Sequence, residues 1–207
     1  MTQQEFLCLY EARRNQVLAL ENAAGALHAS VNQTYEKNLP YEFHLRMAAS
    51  FLTKYGHLEL TDVSEFDTLY AAVYFHDSIE DARLTYNDLK KLFTRLNEEA
   101  GCDIHVVDAT EMVYALTNDK GRNRDERAGE AYYSGIRSTP HAPFLKMCDR
   151  MANIKFSTLL YPVQRMLKVY EQELPHFLEA ITKGAKTGVP QEMIDELKCM
   201  FASNPFQ

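Results

Sequence analysis

Apolar residues recur at three- and four-residue spacing along nearly the whole chain, the repeat of helices buried on one face. Glu5 to Asn32, with Phe6, Leu7, Tyr10, Val17, Leu18, Leu20 and Leu27, predicts one long amphipathic helix. Pro40 is placed to open a second helix over Tyr41 to Tyr55, with Gly56 as its stop. Ser64 is expected to cap a third, through Tyr70, Ala71, Val73, Tyr74 and Phe75. Helical spacing continues at Tyr86 to Ala100, about Asp108 to Leu116, Asp125 to Ile136, Ala142 to Leu160, Val163 to Lys183 and Pro190 to Ala202. Loops are expected at 38–39, 57–62, 101–104, 118–124 and 138–140. Only eight Gly and seven Pro punctuate the 207 residues, and neither a low-complexity linker nor an internal repeat divides them. The expectation is an all-α chain, a single domain over 1–207 with eight to ten helices.

Charge narrows the partners. Twenty-two Lys and Arg against 29 Asp and Glu leave −7, the wrong sign for a general nucleic-acid binder. A small phosphorylated ligand in a local basic pocket remains compatible with that excess. No apolar run reaches the ~18 residues of a membrane span. Cys8, Cys102, Cys148 and Cys199 form no C-x-x-C pair, so neither a zinc ribbon nor a thioredoxin motif is present. With a polar stretch after Met1 in place of a signal peptide, a reducing cytoplasm is expected.

The stretch Tyr74-Phe75-His76-Asp77-Ser78-Ile79-Glu80-Asp81 sets four acid–base or metal-competent side chains at the end of an apolar run. On a helix, His76 and Glu80 share a face, as do Asp77 and Asp81. Three carboxylates this close repel unless a proton or a cation compensates them, and a bound divalent cation is one such partner. The dipeptide His-Asp alone would read as a solvated helix end. Two further candidates stand in helical contexts, however. His44 lies in Tyr41-Glu42-Phe43-His44-Leu45-Arg46, and Asp149 lies in Lys146-Met147-Cys148-Asp149-Arg150-Met151-Ala152-Asn153 among apolar neighbours.

In this order, the pattern His…His-Asp…Asp resembles the metal-dependent HD-domain phosphohydrolases, and most closely the hydrolase domain of RelA/SpoT-type enzymes and their small stand-alone relatives. His76 to Asp81 is similar to that subfamily's H-D-x-[VI]-E-D, and Lys146 to Asn153 to its K-L-A-D-[RK]-x-x-N. Leu116-Thr117-Asn118-Asp119-Lys120 is similar to V-T-D-D-K, and Pro40 to His44 to P-Y-x-x-H, preceded by His28. The resemblance covers about His28 to Ser157. It implies a helical HD fold with a core of about 28–160, the N-terminal helix and the C-terminal helices packing on it.

The resemblance also implies roles. His44, His76, Asp77 and Asp149 would ligate one divalent metal, Mn²⁺ first, with Mg²⁺, Fe²⁺ or Zn²⁺ as alternatives. Glu80 and Asp81 would position a metal-activated water and act as general acid and base. Asn153 would contact the nucleotide or support the site, and Lys146, Arg150, Lys120 and Arg46 would be the cations facing phosphate. The implied activity is guanosine-3′,5′-bis(diphosphate) 3′-pyrophosphohydrolase-like. An HD phosphatase or 5′-nucleotidase acting on another nucleotide is the alternative, and a non-catalytic helical regulatory module the third reading. The partner would be a small phosphorylated nucleotide, with no nucleic acid and no membrane; a homo-oligomer is compatible with the chain. The pattern departs from the family where Asn32-Gln33-Thr34-Tyr35 replaces a basic Q-x-R-K-type segment, which bears on substrate identity.

Of the other features, His57, His105, His141 and His176 lack a metal-spaced partner and are expected in loops or at the surface. Tyr132-Tyr133 and the pair Met147 and Met151 are expected in the core. Arg122 to Arg127 reads first as a solvated loop. No Gly-rich phosphate loop and no Ser or Cys nucleophile motif is present.

Overall fold

The computed structural model describes residues 1–118, 128–159 and 165–202. Among them are ten α-helices: α1 (Gln3–Ala12), α2 (Arg14–Ser30), α3 (Glu42–Glu59), α4 (Phe66–Phe75), α5 (Tyr86–Ala100), α6 (Val106–Leu116), α7 (Glu130–Ser138), α8 (Ala142–Leu159), α9 (Arg165–Thr182) and α10 (Gln191–Ala202). The only strands among the described residues, β1 (Thr34–Glu36) and β2 (Leu39–Pro40), form a small antiparallel hairpin ahead of α3. The fold is all-α, as the periodicity implies.

α4 is its axis. Every residue from Phe66 to Phe75 is buried, as befits a helix apolar almost all round. α3 packs on α4 and α8, while α2 and α6 cover α4 from other sides. Met147, Met151, Tyr132 and Tyr133 are core residues, as expected. No described helix is long and apolar enough to cross a membrane.

The helix from Glu5 to Asn32 is two helices. The chain breaks at Arg13, so that α1 lays Phe6 against α3 while α2 turns Val17 and Leu20 toward the core. Arg13 secures the break by pairing with Asp67, a buried carboxylate on α4 that also accepts the Asp103 backbone N–H at 2.7 Å. Pro40 closes β2, and Tyr41 caps the helix it was expected to open.

Gly56 does not stop α3, which continues to Glu59. Its lack of a side chain serves packing instead. A Cβ there would lie 2.5 Å from Cζ of Phe6, so the α1 ring seats directly on the helix backbone. Gly56→Ala is expected to destabilise the fold by about 1–3 kcal/mol through overpacking. Urea unfolding checks this, and an unchanged midpoint would show that Phe6 yields freely.

Ser64 is not the cap of the third helix either. Asp62 accepts the Ser64 N–H at 2.9 Å and opens a 3₁₀ turn, Val63–Glu65, ahead of α4. α5 matches its expected span, with a Thr85/Asp88 capping box at its start and Gly101 in the left-handed region at its end.

His141, expected at the surface, is buried. Its Nδ1–H donates to Glu59 Oε1 at 2.6 Å, and Nε2 lies 3.5 Å from Glu65 Oε1. Its backbone N–H donates to Thr187 Oγ1 at 2.8 Å. Burial disfavours the charged ring, but the two carboxylates outweigh it and raise the pKa above the usual 6.5. The charged clasp thus joins the end of α3, the 3₁₀ turn and the start of α8. A raised folded pKa gives stability that is complete below the unfolded value and fades as pH rises through the folded one. His141→Gln is therefore expected to cost most below the ordinary imidazole pKa and progressively less as pH rises above it. Denaturant midpoints across that rise would show a constant difference if the ring were neutral throughout.

Candidate metal centre

Three packed helices deliver the site. α3 presents His44 from its first turn, α4 hands the chain on to His76 and Asp77, and α8 presents Asp149. α4 ends at Phe75, the last residue named for the third helix, so the doublet and its acidic pair do not continue it. Residues 76–81 instead form hydrogen-bonded turns, with the Ser78 N–H donating to Phe75 O at 2.9 Å and the Asp81 N–H to Asp77 O at 2.8 Å.

His44 Nε2 and His76 Nε2 stand 3.1 Å apart. Asp77 Oδ2 is 2.8 Å from the second and 3.5 Å from the first. Asp149 Oδ1 approaches the same two nitrogens at 3.4 and 3.7 Å. His44, His76 and Asp77 make the tightest group. Adjacent donors around an ion held at roughly 2.1 Å are about 3 Å apart, so this spacing fits a divalent cation.

The tautomers agree with that fit. His76 Nδ1 lies 2.8 Å from the Val73 carbonyl, which can only accept, so Nδ1 carries the proton and Nε2 offers its lone pair to the cluster. His44 Nδ1 is buried without a partner, leaving Nε2 as its engaged atom. Burial opposes charge on either ring, yet Asp77 and Asp149 outweigh it and raise both imidazoles, His76 well above its usual range. Burial likewise opposes ionisation of the carboxylates. His76 nevertheless holds Asp77 far down, and Lys146 and the two histidines hold Asp149 well below the usual range. The field that would draw protons onto the rings is one that draws a cation.

Around this set the side chains interlock. Lys146 Nζ lies 2.8 Å from Asp149 Oδ2, and Asn153 Nδ2 donates to Asp149 Oδ1 at 2.6 Å. Tyr35 donates its hydroxyl to Asn153 Oδ1 at 2.7 Å while its ring stacks on His44, centroids 4.7 Å apart. Tyr41 donates to Asp77 Oδ2 at 2.6 Å, and His28 stacks on the Tyr41 ring at 4.4 Å. Both His28 nitrogens are buried without partners, and burial lowers its pKa to about 4.

His44, Asp77 and Asp149 of the cluster line a cavity of about 500 Å³. Glu80, Asp81, Asn118, Lys146, Arg150 and Asn153 also line it. Burial and the nearby Asp77 raise the pKa of Asp81. Arg150 donates to Glu173 at 2.8 Å, with its guanidinium over the rings of Tyr170 and Phe177.

Arg46 is not among the lining residues. It lies two positions from His44, roughly 200° around the helix, and is 58% exposed on the outer face of α3, paired with Glu21 and Glu42 at 2.6 Å each. Lys120 and the basic stretch 122–127 lie outside the described residues. Sequence reasoning gave no role to Tyr35 or Tyr41, nor to Tyr170, Glu173, His176 and Phe177 of α9, which also line the cavity. The Tyr35–Asn153 bond spans 118 positions, and no local pattern announces such a pair.

No protein-family model matches the chain, and neither does any curated protein or solved structure.

Proposed function

We propose that this chain is an HD-type metal-dependent phosphohydrolase acting on a small phosphorylated nucleotide, in its most specific form a (p)ppGpp 3′-pyrophosphohydrolase. The observation carrying this reading is the convergence of two imidazole Nε2 atoms and two carboxylates from α3, the turn after α4, and α8. His44, His76, Asp77 and Asp149 would hold Mn²⁺, or another divalent ion of similar size. Such an ion, when bound, supplies an acidified water and charge neutralisation at phosphorus.

The chain's own groups do the rest. Asp81, its pKa raised by burial and by Asp77, is suited to hold and release a proton nearer neutrality than an ordinary carboxyl. Glu80 lines the same cavity and would orient the attacking water. Asn153 and Lys146 fix the rotamer of Asp149 between them. Glu80 and Asp81 also weigh against a purely structural metal module, which has no use for extra carboxylates beside its ligands. A cytoplasmic setting belongs to this reading and is supported by four cysteines that are all free thiols.

Electrostatics favours a second reading, an HD phosphatase or 5′-nucleotidase. Among the described residues the two cations lining the cavity are already paired, Lys146 with Asp149 and Arg150 with Glu173. Asp77, Glu80, Asp81, Asp149 and Glu173 face the same space. That balance suits a substrate with few phosphate charges.

A Mn²⁺-supplemented screen against ppGpp, NADPH, deoxynucleotides and nucleoside monophosphates separates the two. Pyrophosphate release from ppGpp supports the first reading, orthophosphate release from the others supports the second, and no turnover of any of them would overturn both.

A further inference from the structure

Glu80 lies in the turn after α4, and its carboxylate is met by a residue 38 positions later. The Asn118 side-chain amide donates to Glu80 Oε2 at 3.0 Å and to Oε1 at 3.4 Å, and the Asn118 backbone N–H donates to Oε2 at 3.3 Å. Both carboxylate oxygens are thereby engaged from one residue. Asn118 is itself anchored. The preceding Thr117 N–H donates to Val113 O at 3.1 Å, and the Tyr132 hydroxyl of α7 donates to Leu116 O at 3.0 Å.

The need for such an anchor follows from the surroundings. Glu80 shares its turn with Asp77 and Asp81, and like charges push a long, flexible carboxylate outward toward solvent. A neutral amide that donates to it opposes that drift without competing with a cation for the carboxylate, as a lysine in the same place would.

We propose that Asn118 is the positioning residue for Glu80, an amide clamp reaching from the end of α6 that holds the water-orienting carboxylate over the cavity. The inference rests on the hydrolase reading for its consequence, though not for the contact itself. Displacing a catalytic group by about an ångström costs up to roughly 100-fold in rate.

The test uses the full chain with Mn²⁺ and the best substrate from the screen. Asn118→Ala is expected to lower kcat by roughly 10- to 100-fold, with KM and Mn²⁺ affinity by electron paramagnetic resonance each within about twofold of the parent. Asn118→Asp, isosteric but lacking the side-chain donor and adding a repelling charge, is expected to fall further. In a Glu80→Gln background, Asn118→Ala is expected to add little. Wild-type kcat in Asn118→Ala, or an equal loss in both backgrounds, would overturn the clamp. A parallel loss of Mn²⁺ would overturn it too, since that marks a structural role. If the parent turns over no substrate, the hydrolase reading fails alone. The clamp is then decided by the Asn118 side-chain amide resonance, which shifts in Glu80→Gln if the contact is present and stays fixed if it is not.

Discussion

Asp149→Asn is expected to lose bound Mn²⁺ and to bring turnover to background, while also lowering stability by about 3 kcal/mol. Two separate consequences meet in one atom pair. Oδ1 of Asp149 approaches both imidazole nitrogens, and Oδ2 is the counter-charge for Lys146, an ammonium that is only 14% exposed. Asparagine keeps the shape but removes the charge, so the metal loses an anionic ligand and Lys146 is left without its partner. Asp149→Asn combined with Lys146→Met separates the two effects. Replacing both members of a buried pair commonly restores stability, and here it is expected to do so without restoring Mn²⁺. One equivalent of tightly bound Mn²⁺ in either variant would remove Asp149 from the ligand set.

Glu80→Gln is expected to behave oppositely, retaining Mn²⁺ stoichiometry and stability while losing about 10²- to 10⁴-fold in kcat. The substitution keeps an acceptor oxygen within reach of Asn118, so position changes little and charge is what is lost. Equilibrium dialysis for the metal, paired with initial rates, reads both outcomes. Parent-like rates would leave Asp81 as the sole acid–base carboxylate of the site.

Much of the architecture was legible because helices announce themselves by period. α5 appears at its expected residues, and α8 and α10 fall within one residue of theirs at either end. The misreadings are of another kind. Periodicity states which face of a helix is apolar, not which helix covers it, so the break at Arg13 waits on the knowledge that Asp67 lies opposite. Gly56 looks like a stop until Phe6 is seen against it. His141 looks solvated because its carboxylates, Glu59 and Glu65, are far away in sequence.

The site divides along the same line. His44, His76, Asp77 and Asp149 were readable as a spaced series, and the structure brings them together. Arg46 could have been excluded by counting turns from His44. Tyr35, Tyr41 and Asn118 act across long separations, and their roles are written only in the tertiary contacts.

One consequence follows from how the cavity walls are divided among elements. α8 carries Lys146, Asp149 and Asn153 on successive turns, and a single inserted residue would rotate all of them away from His44 and His76 together. Tyr170, Glu173 and His176, which also line the cavity, belong to α9, and none of these residues is in the cluster. On the proposed reading, the metal-holding side chains and α9's part of the lining would thus belong to separate elements. Substitutions along α9 would then reshape the cavity without disturbing the register of α8, much as a tool keeps its handle when the bit is changed.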